Sequence, residues 1–316
     1  MIAKPDVDAL LAGELGGWLA AQQALRDETR AKANRRLAGC IVAGVVIGSL
    51  LWALGSDFDT AVVAAGLGLA GGTAWSRKIK RPVITSIKAE MNRAIAGKLG
   101  LSYSAVQQAG PEFERALGFG LLPAHDRAAF EDLWSGTING ITMQLYEGHL
   151  RQWQQQGKQR QLVTVFHGIL IQMVYTRPFH GTTLVERQGA RFSFFGLRDS
   201  IGGEGRKLER MRMADPRFED LFDLWSSDFV EGQFLVHPEY IERLIAIEQK
   251  FDGHDVRALF HAGEMTILLD TGDQFESGSL DAEEDRARMR KTVEQFVALA
   301  ELATTLNERP REGPQP

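Results

Sequence analysis

Ile267-Leu268-Leu269-Asp270-Thr271-Gly272 is the stretch whose letters most directly suggest chemistry. Apolar residues running into Asp-Thr-Gly resemble the active-site signature of retroviral-type aspartic proteases. That chemistry needs two carboxylates sharing one proton, the second supplied by another lobe or another protomer. It also needs a further β-rich stretch with an apolar-apolar-Gly element beneath the site. After Gly278 this chain offers only a helix and a tail. A strand ending in a turn accounts for Asp270 and Gly272 equally well, because Asp and Gly are the residues turns require.

The histidines are His125, His149, His167, His180, His237, His254 and His261. None shows the His-x-x-x-His or His-Glu-x-x-His spacing of a zinc site. His254-Asp255 and His261 are the set that folding would have to bring together with Asp270 for metal or hydrolytic work. Gly202-Gly203-Glu204-Gly205-Arg206-Lys207 has backbone N–H groups to offer a phosphate, but lacks the spacing and hydroxyl of a P-loop. Ser135-Gly136 and Ser193 have no nucleophile-elbow context. Asp270 to Asp285 holds seven carboxylates without the ordered ligand spacing of a calcium loop. An exposed connection leading into an acidic helix N-terminus explains them. No catalytic set, cofactor or metal is therefore expected. The remaining candidates are Asp270, His254 and His261.

The elements that must position these groups begin with a segregation of charge. Residues 37–76 carry only Asp57 and Asp59 as charges, in a chain with 24% charged residues. Leu37 to Gly55 and Thr60 to Ser76 are uncharged runs. As helices they measure about 28 and 25 Å, against a hydrocarbon core of about 30 Å. Trp52 and Trp75 lie near their ends, where indole rings prefer the interface. Ser56-Asp57-Phe58-Asp59 makes a polar turn between them. Arg30, Lys32, Arg35 and Arg36 precede the first run, and Arg77, Lys78, Lys80 and Arg81 follow the second. Basic flanks stay cytoplasmic, so the expectation is two spans with both termini in the cytoplasm. The basics Arg35, Arg36, Arg77, Lys78, Lys80 and Arg81 would meet anionic lipid headgroups. A secretory signal peptide is not expected, because the apolar run begins too late.

Gly66-x-Gly68-x-x-Gly71 matches the dinucleotide fingerprint by letter only, since it lies inside an apolar run. Gly44-x-x-x-Gly48 and Gly68-x-x-x-Gly72 instead suit close helix packing, within the hairpin or between protomers. The single cysteine, Cys40, reads as a small hydrophobe.

Around the hairpin, an amphipathic helix is expected from Asp6 to about Arg36 and a stalk helix from Pro82 to Leu99, ended by Gly100. The periodicity then changes. Trp134–Asn139, Ile141–Leu150, Leu162–Tyr175 and Thr182–Arg187 read as strands, as do Leu208–Met213 and Leu221–Ser226. Asn139-Gly140 and Ala262-Gly263 signal hairpins, and Gly157 an exposed turn. Pro238–Phe251 and Glu283–Leu306 read as helices, with Val256–His261 and Glu264–Asp270 as strands between them. The fold class expected is α+β, a two-helix transmembrane hairpin followed by a soluble antiparallel sheet with packed helices. The organisation is residues 1–36 amphipathic helix, 37–76 hairpin, 77–101 stalk, 102–306 soluble cytoplasmic domain and 307–316 disordered tail.

Val165-Phe166-His167-Gly168-Ile169-Leu170-Ile171 and Arg177-Pro178-Phe179-His180-Gly181-Thr182-Thr183 resemble the paired Phe-x-Gly pattern of a bacterial membrane-protein family catalogued as domain of unknown function number 3137. Glu209–Met213, Asp215-Pro216-Arg217-Phe218-Glu219, Leu224-Trp225-Ser226-Ser227-Asp228 and Phe234-Leu235-Val236-His237-Pro238 are similar to that family's later order. The resemblance covers roughly residues 80–280 and implies a bacterial inner-membrane location without an assigned activity.

The net charge of −5 argues against nucleic acid as a partner. The expected partners are membrane lipid, a second copy of the chain and an unidentified protein. The expected function is a non-enzymatic interaction or scaffolding domain at the inner membrane. A membrane-tethered hydrolase and a lipid- or envelope-sensing module are the alternatives. A two-helix pore is disfavoured, because the runs carry no internal charge.

Overall fold

The computed structural model describes residues 5–157, 159–175, 179–188, 200–203, 206–212 and 219–308. Arg177-Pro178, Ser193, Glu204-Gly205, Met213, the Asp215–Phe218 turn and residues 309–316 of the expected tail lie outside them. The chain forms two compact units.

The helical unit comprises Asp6–Ala94 and Glu276–Met289. Its helices are α1 (Val7–Ala12), α2 (Glu14–Ala21), α3 (Gln23–Ala53) and α4 (Phe58–Leu99), the last running on past Ala94. Asp6 caps α1 as its side chain predicts, accepting from Asp8 N at 2.9 Å. The single amphipathic helix expected over 6–36 is broken at Gly13 and Gln22. The break brings the backbone of Leu11 onto Gly16, where a Cβ would collide. Helix α4 also runs through Pro82, where the sequence suggested a new start. A mid-helix proline forfeits one hydrogen bond and costs about 3 kcal/mol. Burial of Ile87 and Met91 in the next turns offsets that.

The return segment Glu276–Met289 is clamped to the same helices. A Cβ on Gly278 would strike the backbone of Ile84 and Lys88, so only glycine permits this approach. Lys88 pairs with Glu276, and Ser277 hydrogen-bonds Asn92. Arg26 and Asp285 form an ion pair at 2.7 Å with both side chains buried.

The sheet unit comprises Ile95–Phe275 and Arg290 onward, with Met1–Pro5. Its strands are β1 (Leu101–Val106), β2 (Arg127–Ile138), β3 (Ile141–Gln156), β4 (Gln159–Val174), β5 (Thr183–Arg187), β6 (Ser200–Gly203), β7 (Arg206–Arg210), β8 (Phe222–Ser226), β9 (His254–His261) and β10 (Glu264–Asp270). Its helices are α5 (Pro111–Gly118), α6 (Phe229–Leu235), α7 (Pro238–Lys250) and α8 (Ala282–Glu308), the last shared with the helical unit. The strands form one ten-stranded sheet in the order β1-β2-β3-β4-β10-β9-β5-β8-β7-β6. Every pairing within it is antiparallel. The α+β class with an antiparallel sheet is thus what forms.

Both expected hairpin turns are present. Asn139 and Gly140 take φ of 46° and 83°, and Ala262 and Gly263 take 53° and 78°. Left-handed values at both turn residues match the strand twist. Within residues 202–207, β6 and β7 pair antiparallel, with Gly203 opposite Arg206.

Alternation sorts the side chains to two faces. On one face Tyr146, Leu150, Phe166, Leu170, Leu259 and Leu268 pack with Phe113, Phe119 and Leu122. On the other, Trp134 meets Phe296 of α8 at 4.6 Å between ring centroids, and Tyr240 of α7 meets Phe260 at 5.3 Å. Phe166-His167-Gly168 sits at the centre of this arrangement. Phe166 fills the first face, and a Cβ on Gly168 would land on the carbonyl oxygen of Leu269 in the neighbouring strand. Gly168→Ala is therefore expected to force β4 and β10 apart, at a cost of about 1–3 kcal/mol. A denaturant midpoint shift measures it, and an unchanged midpoint would mean that the strands do not approach this closely.

Candidate functional site

In the helical unit, α3 and α4 lie in contact along their glycines. A Cβ on Gly44 would reach Gly68 Cα at 2.9 Å, and one on Gly48 would reach the Ala61 carbonyl oxygen at 2.5 Å. Gly72 faces Leu37 and Cys40. The guanidinium of Arg36 lies 5.1 Å from the Trp75 ring centroid, fixing the basic ends of the two helices at one level. The small residues are thus used within the pair. The large ones point outward: Val42, Val46, Ile47, Leu50 and Trp52 on α3, and Val62, Val63, Leu67 and Leu69 on α4. Leu54 is 76% exposed and Leu67 68%. Isolated exposed apolar residues are ordinary, whereas a contiguous patch marks an interaction surface.

Among the described residues, one helical segment, Glu14–Ala53, is long and apolar enough to cross a membrane; its best stretch has a mean hydropathy of 1.9. The second arm does not meet that test. Gly68 and Gly72 contribute packing surface but little hydropathy. Arg35, Arg36, Arg77, Lys78 and Arg81 are exposed at one end, with Lys80 partly so, and Asp57 and Asp59 are exposed at the other.

In the sheet unit, His254 and Asp270 are brought together and His261 is not. Asp270 faces His254 across the β9–β10 pair. Ligand atoms of His254, Asp255 and Asp270 lie within 4.8 Å of one another. Arg257 occupies this cluster. Its guanidinium meets Asp270 Oδ1 at 3.0 Å and donates to the Leu121 carbonyl at 2.7 Å, with both ionic side chains nearly inaccessible. Burial pushes the Asp270 carboxyl above its ordinary pKa, while the positive charges of Arg257 and His254 pull it down. A buried carboxylate facing a guanidinium is a structural ion pair, not the two-carboxylate geometry of an aspartic protease. His261 begins the following turn, about 23 Å along the strand from His254. Its Nδ1 lies 2.9 Å from Thr182 Oγ1.

Three other histidines hold local structure. His237 caps α7, accepting from Tyr240 N at 3.3 Å. His180 N donates to Glu231 Oε1 at 3.0 Å, and the His125 ring lies 5.7 Å from Phe113.

The remaining two define a cluster that sequence spacing did not expose. His149 and His167 face each other across β3 and β4, with rings stacked at 4.5 Å and 18°. Glu147, two residues before His149, points to the same face. Its Oε1 accepts from Gln274 N at 3.1 Å and Phe275 N at 3.0 Å. Those bonds fold the loop after β10 back over the sheet and bring Asp273 Oδ1 to 3.0 Å from His167 Nε2. Ligand atoms of Glu147, His167 and Asp273 lie within 4.8 Å of one another. The sequence signal was the alternation Glu147-x-His149 with a partner strand whose register a turn at Gly157 sets. A bulge after Leu150 shifts that register by one and decides that His167 is the residue opposite His149.

The glycine of the second motif, Gly181, lets two backbone amides reach one carboxylate: His180 N and Gly181 N both donate to Glu231. Asp228 caps α6 through Glu231 N at 3.0 Å, and Ser226 Oγ accepts from Asp228 N at 3.1 Å. These Phe-x-Gly and Ser-x-Asp elements fall within residues 164–308, which match the family described as a protein of unknown function, DUF3137. The match covers somewhat less than half of the chain. It starts at β4 and ends with α8, so the stalk and first strands of the expected 80–280 span lie outside it, and α8 lies inside. No protein with curated annotation matches the chain. Among solved structures, the chain is similar to the crystal structure of the mycobacterial trehalose monomycolate transport factor A. The likeness is 8% in sequence identity with a TM-score of 0.33, over 67% of this chain and 95% of that one.

Proposed function

We propose that the chain is a membrane-anchored, non-enzymatic interaction or scaffolding protein of the bacterial inner membrane. Its helical hairpin inserts as one unit, and its DUF3137 region presents a cytoplasmic surface to a protein partner or a second copy. One observation carries this reading: the outward faces of α3 and α4 are covered with large apolar side chains, bounded by basic residues at one end and Asp57 and Asp59 at the other. The second arm need not be apolar enough alone. Gly68, Gly72, Ala61 and Ala64 face α3, so the pair needs to be apolar only where it meets lipid. The basic end remains on the cytoplasmic side with both termini, and its charges meet anionic headgroups at about 1 kcal/mol each.

The topology is testable with single thiols in a Cys40→Ala background. In intact bacterial cells expressing the full chain, Ser56→Cys should react with an impermeant maleimide. Lys78→Cys should react only after permeabilisation. Labelling of both only after permeabilisation would rule out a spanning hairpin. In-membrane crosslinking with mass spectrometry of the full chain then tests the scaffold. Reproducible protein or self contacts on the DUF3137 region support it, and turnover of a defined substrate abolished by one substitution would overturn it.

A further inference from the structure

Among the described residues, the sheet unit holds two clusters whose metal-ligating atoms lie within 4.8 Å of one another, and they differ in charge. Around Asp270 the chain supplies its own cation, Arg257, whose guanidinium lies 3.0 Å from the carboxylate. A metal ion there would have to displace a buried ion pair and meet a like charge. Glu147, His167 and Asp273 are arranged differently. Two carboxylates converge on an imidazole, and the charged partner shown for Asp273 is His167 itself.

We propose that Glu147, His167 and Asp273 bind a divalent transition-metal ion of the zinc class, through one imidazole nitrogen and two carboxylate oxygens. The geometry favours it in four ways. The three ligand atoms already lie within 4.8 Å of one another. An ion at about 2.0–2.2 Å from each donor would draw them closer together. Glu147 is almost fully buried and oriented by two backbone N–H groups, Gln274 N and Phe275 N, which is the outer-shell support a ligating carboxylate needs. His149 stacks on the His167 ring and is itself held 2.8 Å from Thr164 Oγ1, limiting the rotation of the ligating imidazole. Asp273 is more than half exposed, which leaves solvent access for an ion to enter and for water to complete the coordination.

Mixed nitrogen and oxygen donors suit zinc and its neighbours better than calcium or magnesium, whose sites are built from oxygen. The bound ion would tie β3 and β4 to the loop after β10. That loop is short, and it is also held by the two hydrogen bonds to Glu147, by Thr271 N donating to the His167 carbonyl and by Gln295 Nε2 donating to Gln274 Oε1. The site is therefore read as structural or sensory, independent of the membrane anchor.

Purified full-length protein in detergent, free of any histidine tag, is stripped with chelator and titrated with Zn²⁺ by calorimetry and with Co²⁺ by visible absorption. One ion per chain is expected, with Co²⁺ bands diagnostic of nitrogen and oxygen ligands and a rise in Tm on loading. His167→Ala and Asp273→Asn should each weaken binding by about tenfold or more, while His254→Ala leaves it unchanged. Asp273 is exposed enough that Asp273→Asn will fold, which keeps the test decisive even if His167→Ala does not. Stoichiometric binding unaffected by Asp273→Asn and His167→Ala, or lost with His254→Ala instead, would overturn the assignment. Absence of any saturable binding would do the same.

Discussion

Arg257→Met is expected to destabilise the sheet unit by about 3–5 kcal/mol at neutral pH, the largest single effect in the molecule, because it strands Asp270 as a buried charge without its guanidinium. Both side chains are nearly inaccessible, so solvent screening does not soften the loss. Restoring neutrality should recover much of it: the double variant Arg257→Met with Asp270→Asn is expected to be more stable than Arg257→Met alone. The pH dependence has a definite sign. Burial already raises the Asp270 carboxyl above its ordinary 3.8, and removing Arg257 takes away an opposing pull and raises it further. A raised folded pKa means that stability is fully present below the unfolded value and is lost as pH rises through the folded one. The deficit of Arg257→Met relative to the parent should therefore be small near pH 3.8 and grow towards neutrality. Denaturant melts across that range measure it, and a deficit independent of pH would show that the ion pair is not its cause.

If the helix pair inserts as proposed, charge placed on its outward face should have the next largest effect. Val46 lies between Gly44 and Gly48 in sequence but points away from α4, and Leu67 points outward from the opposite helix. Arginine near the centre of a span costs about 2.5–3.5 kcal/mol on insertion scales. Each of Val46→Arg and Leu67→Arg should thus shift the inserted fraction by about a hundredfold. Flotation with anionic vesicles and retention after carbonate washing read the change. Val230→Arg, at a residue equally exposed but in the sheet unit, is the control and should float like the parent. Retention of the doubly substituted chain would mean that the apolar surface is covered by protein rather than lipid.

The two arms of the hairpin differ for a physical reason. Helix association in lipid gains little from burying apolar side chains, because lipid tails are as apolar as leucine. Close backbone approach is what distinguishes one helix pair from another, and Gly44, Gly48, Gly68 and Gly72 supply it. Residues that serve packing lower the hydropathy of the arm that carries them. The hydropathy of Thr60–Ser76 therefore understates what the pair presents to its surroundings.

Local chemistry in the sequence was enough for the turns at Asn139-Gly140 and Ala262-Gly263, the strand Glu264–Asp270 and the antiparallel α+β class, because each depends on neighbours a few residues away. The family motifs were legible too, although their reason was not. Gly168 is glycine because Leu269 passes beside it, and Gly181 because Glu231 reaches its amide. Strand β1 and helices α5 and α6 were missed because their short apolar patterns mean little until Tyr146 meets Glu112 at 2.7 Å or Asp228 caps α6. Asp270, the most suggestive residue in the linear chain, is answered by Arg257 from the neighbouring strand. Glu147, His167 and Asp273 are separated by more than a hundred residues at their extremes and share no spacing rule. A one-residue bulge and two backbone hydrogen bonds to Glu147 bring them together, and only tertiary structure determines such contacts, because register and loop path depend on packing across the whole sheet.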